Sequence, residues 1–151
     1  MAETLGSLCD KLTIIKLKQF HSENGARLRE LANQEQQLQE EIDDFVTLAV
    51  AGDIPLQRLT FPSNKVYKKE GNEVRDVEGS IGEVLSKLAS VNNRLWHEQE
   101  KVYEFEKVPA MEKNIVVKQL ALLNLERNFC IDEIDRQFRK SLETVPDNPR
   151  N

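Results

Sequence analysis

Apolar side chains recur every three or four residues along most of the chain, the spacing of one face of an α-helix. From Leu17 the inward positions read Leu17, Phe20, Asn24, Leu28, Leu31, Glu35, Leu38, Ile42, Phe45 and Ala49. The phase passes through Asn24-Gly25 without a slip, although Asn-Gly is a strong turn dipeptide. The pattern predicts one long helix from about Thr4 to Ala51, closed by Gly52 at the C′ position. A kink or short turn at Gly25 is the alternative. A second seam reads Ile81, Leu85, Leu88, Asn92, Leu95, Gln99, Val102 and Glu106, its gaps alternating four and three as in a coiled coil. Pro109 then breaks the helix and suits the first turn of the next, whose seam is Val117, Leu120, Asn124, Arg127, Ile131, Ile134 and Phe138.

Residues 52–79 are of another kind. Pro55, Pro62, Gly71 and Gly79 punctuate them, and Lys65 to Val74 fits a small β-hairpin, with a plain crossover between helices as the simpler reading. The tail from Thr144 to Asn151 carries Pro146 and Pro149 and is expected to be disordered. The expected fold is therefore all-α, a single helical domain over 1–143. It has one long N-terminal helix and an antiparallel hairpin of two long helices, elongated or coiled-coil-like, with an irregular or β-hairpin insertion at 52–79.

The start of the chain and the start of the second seam resemble each other. Thr4 and Ser80 both read as N-caps, and Ser80-Ile81-Gly82-Glu83 fits a capping box. Aligned on those caps, Gly6, Lys11, Leu12 and His21 meet Gly82, Lys87, Leu88 and His97, a weak hint of duplication. The first helix also has apolar residues on more than one side: Leu5, Leu8, Leu12 and Ile15 on one, Ile14 and Leu17 on another. Such a helix needs more than one neighbour. Three helices do not easily supply that, which leads to an expected homodimer through the N-terminal helix.

Composition narrows the partners. Lys and Arg number 21 against 26 Asp and Glu, a net charge of −5, unlike the basic footprint of a nucleic-acid-binding domain. The N-terminus lacks a basic and an apolar region of the secretory kind, and no apolar run approaches a membrane span, so a cytoplasmic protein away from membranes is expected. Cys9 and Cys130 stand in no metal-ligand spacing and read as small buried apolar residues.

The stretch Leu8-Cys9-Asp10-Lys11-Leu12-Thr13-Ile14 carries a D-K-L-[ST]-I motif. Asn92, Leu95, Trp96 and His97 form N-x-x-L-W-H, and Asn124, Arg127, Ile134 and Asp135 form N-x-x-R…I-D. Together these resemble an all-helical bacterial family of uncharacterised function. The usual acidic pair after W-H departs here, with Gln99 in one place and Glu100 in the other. The resemblance implies a glycan-synthesis context and no particular activity.

Candidate chemistry is sparse. No phosphate loop, nucleophile elbow or zinc spacing occurs, and no cofactor is expected. His21 and His97 are preceded three residues earlier by Lys18 and Arg94, so the E-x-x-H pair of di-iron bundles is absent. Glu41 with Asp44, and Asp132 with Asp135, are carboxylate pairs at i, i+3. Such pairs hold Mg²⁺ in all-helical phosphohydrolases acting on nucleotides or sugar-nucleotides, and they also simply solvate helix faces. The best candidate site is a polar cluster on the seams. Counted from Pro109, Asn92, Asn124 and Arg127 fall at one level, with Trp96 a turn closer to the bend. Either they close a network that fixes register, or they line a pocket for a small anion. Asp10, Glu35 and Asp135 are the possible partners of Arg127. The leading functional expectation is a non-enzymatic interaction or scaffold module, and the alternative is the Mg²⁺-dependent phosphohydrolase.

Overall fold

The computed structural model describes residues 3–61 and 77–143. Thr4 opens α1 (Leu5–Phe20) with a capping box: its hydroxyl accepts from the Ser7 N–H at 3.3 Å, and the Ser7 hydroxyl accepts from the Thr4 N–H at 2.9 Å. The helix stops at His21. Asn24 then opens a new helix, α2 (Gly25–Val50), its side-chain oxygen accepting from the Arg27 N–H at 3.1 Å. The single long helix is thus corrected to two. Asn24-Gly25 acts as a turn and cap, and the conserved spacing of apolar residues across it does not prevent α2 from folding back on α1. Lys16 on α1 reaches Glu35 on α2 at 3.0 Å, which fixes the two as antiparallel neighbours.

α2 ends in a Schellman motif: Asp53 N–H bonds to Leu48 C=O at 2.9 Å and Gly52 N–H to Ala49 C=O at 3.2 Å. Gly52 sits at the C′ position with φ +84°, a conformation that favours glycine. A short 3₁₀ turn follows at Leu56–Arg58, and Leu59 and Val77 plug into the core. The expected hairpin at Lys65–Val74 and the expected disordered tail from Thr144 lie outside the described residues, and no strand occurs among those that are described.

Ser80 caps α3 (Ile81–Tyr103) by accepting from the Glu83 N–H at 3.2 Å. A 3₁₀ turn at Phe105–Lys107 and Pro109 lead into α4 (Ala110–Glu143), which returns antiparallel along α3. Because Gly6 meets Asp135 and Asp10 meets Arg127, α1 is also antiparallel to α4, and so runs parallel to α3.

α1 is the central element, touching α2, α3 and α4. Leu5, Leu8 and Ile15 are buried against them, Leu12, Ile14 and Leu17 are half-buried, and Phe20 is exposed. The turn at residues 21–24 brings α2 back as one of the neighbours that α1 needs. The main apolar core gathers Leu5, Val84, Leu88, Cys130, Ile134 and Phe138 at the end where α2, the 3₁₀ turn and the end of α4 converge. Phe45 of α2 reaches Phe138 there, with ring centroids 6.2 Å apart.

The seam read on α4 holds from Arg127 onward and drifts before it. Val117 and Asn124 are exposed, whereas Val116 and Leu123 are buried. Positions seven apart rotate about 20° per heptad on a helix of about 3.6 residues per turn, so the row from Ile131 back through Asn124 walks off the core. Similarly Gln99 and Glu106, read as inward on α3, are exposed. Among the described residues no helix is long and apolar enough to cross a membrane.

Candidate functional site

Asp10 lies on the side of α1 that faces both α3 and α4, and it is 4% exposed. A carboxylate so deep requires compensation. Arg127 of α4 supplies it in a two-pronged contact: Nε donates to Oδ1 at 2.8 Å and Nη2 to Oδ2 at 2.5 Å. From α3, Asn92 Nδ2 donates to Asp10 Oδ1 at 2.9 Å and to Thr13 Oγ1 at 2.8 Å. The Thr13 hydroxyl in turn donates to the Asp10 backbone carbonyl at 2.7 Å. Three helices are thereby tied at one level. The carboxylate at hydrogen-bonding distance holds Arg127 firmly in its charged form.

Beside this layer, α1 and α2 splay into an open groove of about 360 Å³, within the size range of small-molecule sites. Arg127 forms part of its wall together with Asp10, Lys11 and Lys18 of α1. Ile14, Ile15 and Leu38 give it an apolar floor, and Gln34, Gln37 and Glu41 of α2 face them. Lys11 is paired with Glu3, while Lys18 has no ion-pair partner among the described residues. The groove thus offers a fixed guanidinium, two ammonium groups, side-chain amides and apolar surface, with the carboxylates of Asp10 and Glu41 beside them.

The structure brings together part of the sequence-derived cluster. Asn92 and Arg127 meet through Asp10, which is selected over the other two candidates because each of those is engaged elsewhere. Glu35 accepts from Lys16 at 3.0 Å and from Gln19 at 2.7 Å, and Asp135 accepts from the Gly6 N–H at 2.7 Å. Asn124 is exposed on α4 and takes no part, for the rotational reason given above. Trp96 does not line the groove; its indole stacks on His21 at 4.7 Å between centroids. The carboxylate pairs are dispersed. Glu41 and Asp44 are exposed on α2, with only Glu41 at the groove, while Asp132 and Asp135 lie half-buried and buried on α4. Among the described residues no group of three or more His, Cys, Asp or Glu is placed to hold a metal ion.

Asp135 forms a second buried carboxylate, 1% exposed, where Gly6 lets α1 approach α4 closely. Burial raises its pKa to about 7 and the nearby Asp132 adds to the effect, with the Gly6 N–H and the Thr4 side chain opposing. Its Oδ2 meets no hydrogen-bond partner. Cys9 and Cys130 are free thiols, each pushed up to about 11 chiefly by burial, which leaves little reactive thiolate.

Two features escaped the reading of the sequence. Thr13 was not among the candidate residues, although Thr in a helix commonly turns its hydroxyl to a preceding carbonyl and keeps a lone pair free. The groove depends on α2 returning past α1, and Asn24 as an N-cap was the signal for that return. Comparison with family models, curated proteins and solved structures finds no match, so the chemistry of the site is argued from its own geometry.

Proposed function

We propose that the chain is a non-enzymatic helical binding module that takes a small anionic ligand in the groove between α1 and α2. The observation that carries this reading is Arg127, which forms a groove wall while its orientation is locked by Asp10. A guanidinium held in place by a buried carboxylate loses little freedom when an anion binds, and so retains most of the interaction energy. Lys18 adds an uncommitted positive charge, and Ile14, Ile15 and Leu38 suit the apolar body of an organic phosphate or carboxylate. A Mg²⁺-dependent phosphohydrolase would need its carboxylates gathered, and here the pairs are divided between α2 and α4, with Glu41 alone of the four at the groove. Binding is therefore the reading that the geometry favours.

The test is melting temperature against inorganic phosphate, a sugar phosphate and a nucleoside monophosphate at fixed ionic strength. Parent protein should rise with ligand concentration, and Lys18→Gln, which breaks no ion pair among the described residues, should rise less. Coincident curves for parent and variant with every anion would remove the proposal.

A further inference from the structure

The end of α1 meets the middle of α3 through aromatic side chains that neither the polar layer nor the groove uses. His21, at the C-cap of α1, stacks on Trp96 with planes 8° apart and stands edge-on to His97 with ring centroids 6.0 Å apart. Both imidazoles are exposed, and neither side chain is hydrogen-bonded to another described residue. We propose that His21 and His97 form a two-imidazole site for a divalent late transition-metal ion, of the Zn²⁺ or Cu²⁺ class.

Distance is the first support. A metal about 2.0 Å from a ring nitrogen sits about 3.2 Å from that ring's centroid, so a shared ion places two centroids about 5–6 Å apart depending on the angle. The observed 6.0 Å lies at the wide end of that span, and exposed side chains close the remainder by small rotations. Preorganisation is the second. Trp96 stacks on the His21 ring, and Phe20 stands perpendicular to the same ring with centroids 5.2 Å apart, so two aromatic neighbours hold its orientation. Location is the third, because His21 caps the C-terminal end of a 16-residue helix, whose unpaired carbonyls favour a cation. Lys18, in the last turn of α1, faces the groove on the α2 side rather than this pair. Parallel packing of α1 and α3 explains why the two histidines coincide, since each lies 17 residues after its helix's N-cap, Thr4 or Ser80.

No third His, Cys, Asp or Glu is grouped with them among the described residues, so water completes the coordination. Neutral imidazoles suit Zn²⁺ and Cu²⁺ over Mg²⁺ or Ca²⁺. An ion held this way is exchangeable, and it clamps the end of α1 to α3.

Trp96 is the sole tryptophan of the chain and reports on the site directly. The full chain, free of any histidine tag, is titrated with Cu²⁺ while tryptophan emission is followed. Saturable quenching at one equivalent, reversed by a chelator and weakened at least ~10-fold in His97→Gln, is the expected result, about 1.4 kcal/mol of lost binding. Gln is tolerated at this exposed position, and circular dichroism confirms that the variant is folded. In parallel, Zn²⁺ should raise the melting temperature of the parent by a few degrees and leave His97→Gln unmoved. Quenching that does not saturate, or identical titrations for parent and His97→Gln, would overturn the proposal.

Discussion

Asp10 and Asp135 are both buried carboxylates at the α1–α4 contact, at two successive levels, yet their surroundings differ in kind. Asp10 is met by a two-pronged guanidinium and a carboxamide, so that its charge is matched and both oxygens are bonded. Asp135 receives the Gly6 N–H on Oδ1, has the Thr4 side chain beside it, finds no partner for Oδ2 and has Asp132 nearby. The first layer keeps a charge in the interior by pairing it. The second keeps a carboxyl there by letting it take up a proton close to neutral pH. Depth alone does not decide which outcome a buried acid reaches; the donors within bonding distance do.

The comparison breaks most severely when Arg127 is removed. Arg127→Leu leaves the Asp10 carboxylate without its counter-charge and should cost about 3–5 kcal/mol in urea unfolding. Adding Asp10→Asn to that variant should restore part of the loss, because the stranded charge goes with it. Failure of the double variant to recover any stability would show that packing, not charge, dominates the layer.

Gly6→Ala strikes the Asp135 level. An ideal Cβ there would lie 2.4 Å from the Ile131 carbonyl oxygen and 2.9 Å from Asp135 Oδ1, so the helices must separate. A loss of about 3 kcal/mol is expected, and a near-neutral result would mean that α1 slides at little cost.

Asp135→Asn should do the opposite at neutral pH. The folded protein holds the proton up to about 7, whereas the unfolded chain releases it near the ordinary 3.8. Below about pH 4 both states are protonated and there is no penalty; as pH rises from there to about 7 the protein loses stability, and above that the loss is complete. Asparagine still accepts the Gly6 N–H and removes the titration. It should therefore gain about 2 kcal/mol at pH 8, gain nothing near pH 3.5, and flatten the profile between. Equal pH profiles for parent and variant would contradict the assignment.

Asn92→Leu is the finer probe of the Asp10 layer. If the layer only fixed register, this substitution should keep or raise stability through added apolar burial. The structure changes that expectation, since Nδ2 serves both Asp10 and Thr13, while the Oδ1 that is lost has no partner. A loss of about 1 kcal/mol should result, and any gain would show that Arg127 alone satisfies Asp10. The smallest effect belongs to Asn24→Ala, which removes the α2 cap and should cost about 1 kcal/mol or less.

Periodicity, caps and breakers in the sequence determined much of this protein. The all-α class, the caps at Thr4 and Ser80, the break at Pro109 and the end of α2 at Gly52 all follow from side-chain and backbone preferences acting over a few residues. Asn92 and Arg127 were legible as polar groups on apolar seams, which demand partners wherever the helices go. The tertiary structure decided what local rules leave open. An apolar phase that continues through Asn24-Gly25 is the same whether the helix runs on or turns back, because a reversal between helices need not shift either one's own pattern. Asn24 supplied the local cap; packing chose the turn over the continuous helix, and with it the three neighbours of α1, the groove beside Arg127 and the pairing with Asp10 over Glu35 and Asp135. Asn124 marks the same limit from the other side: seven-residue spacing places it on the seam, but the rotation accumulated along a real helix and the position of its neighbours put it in water.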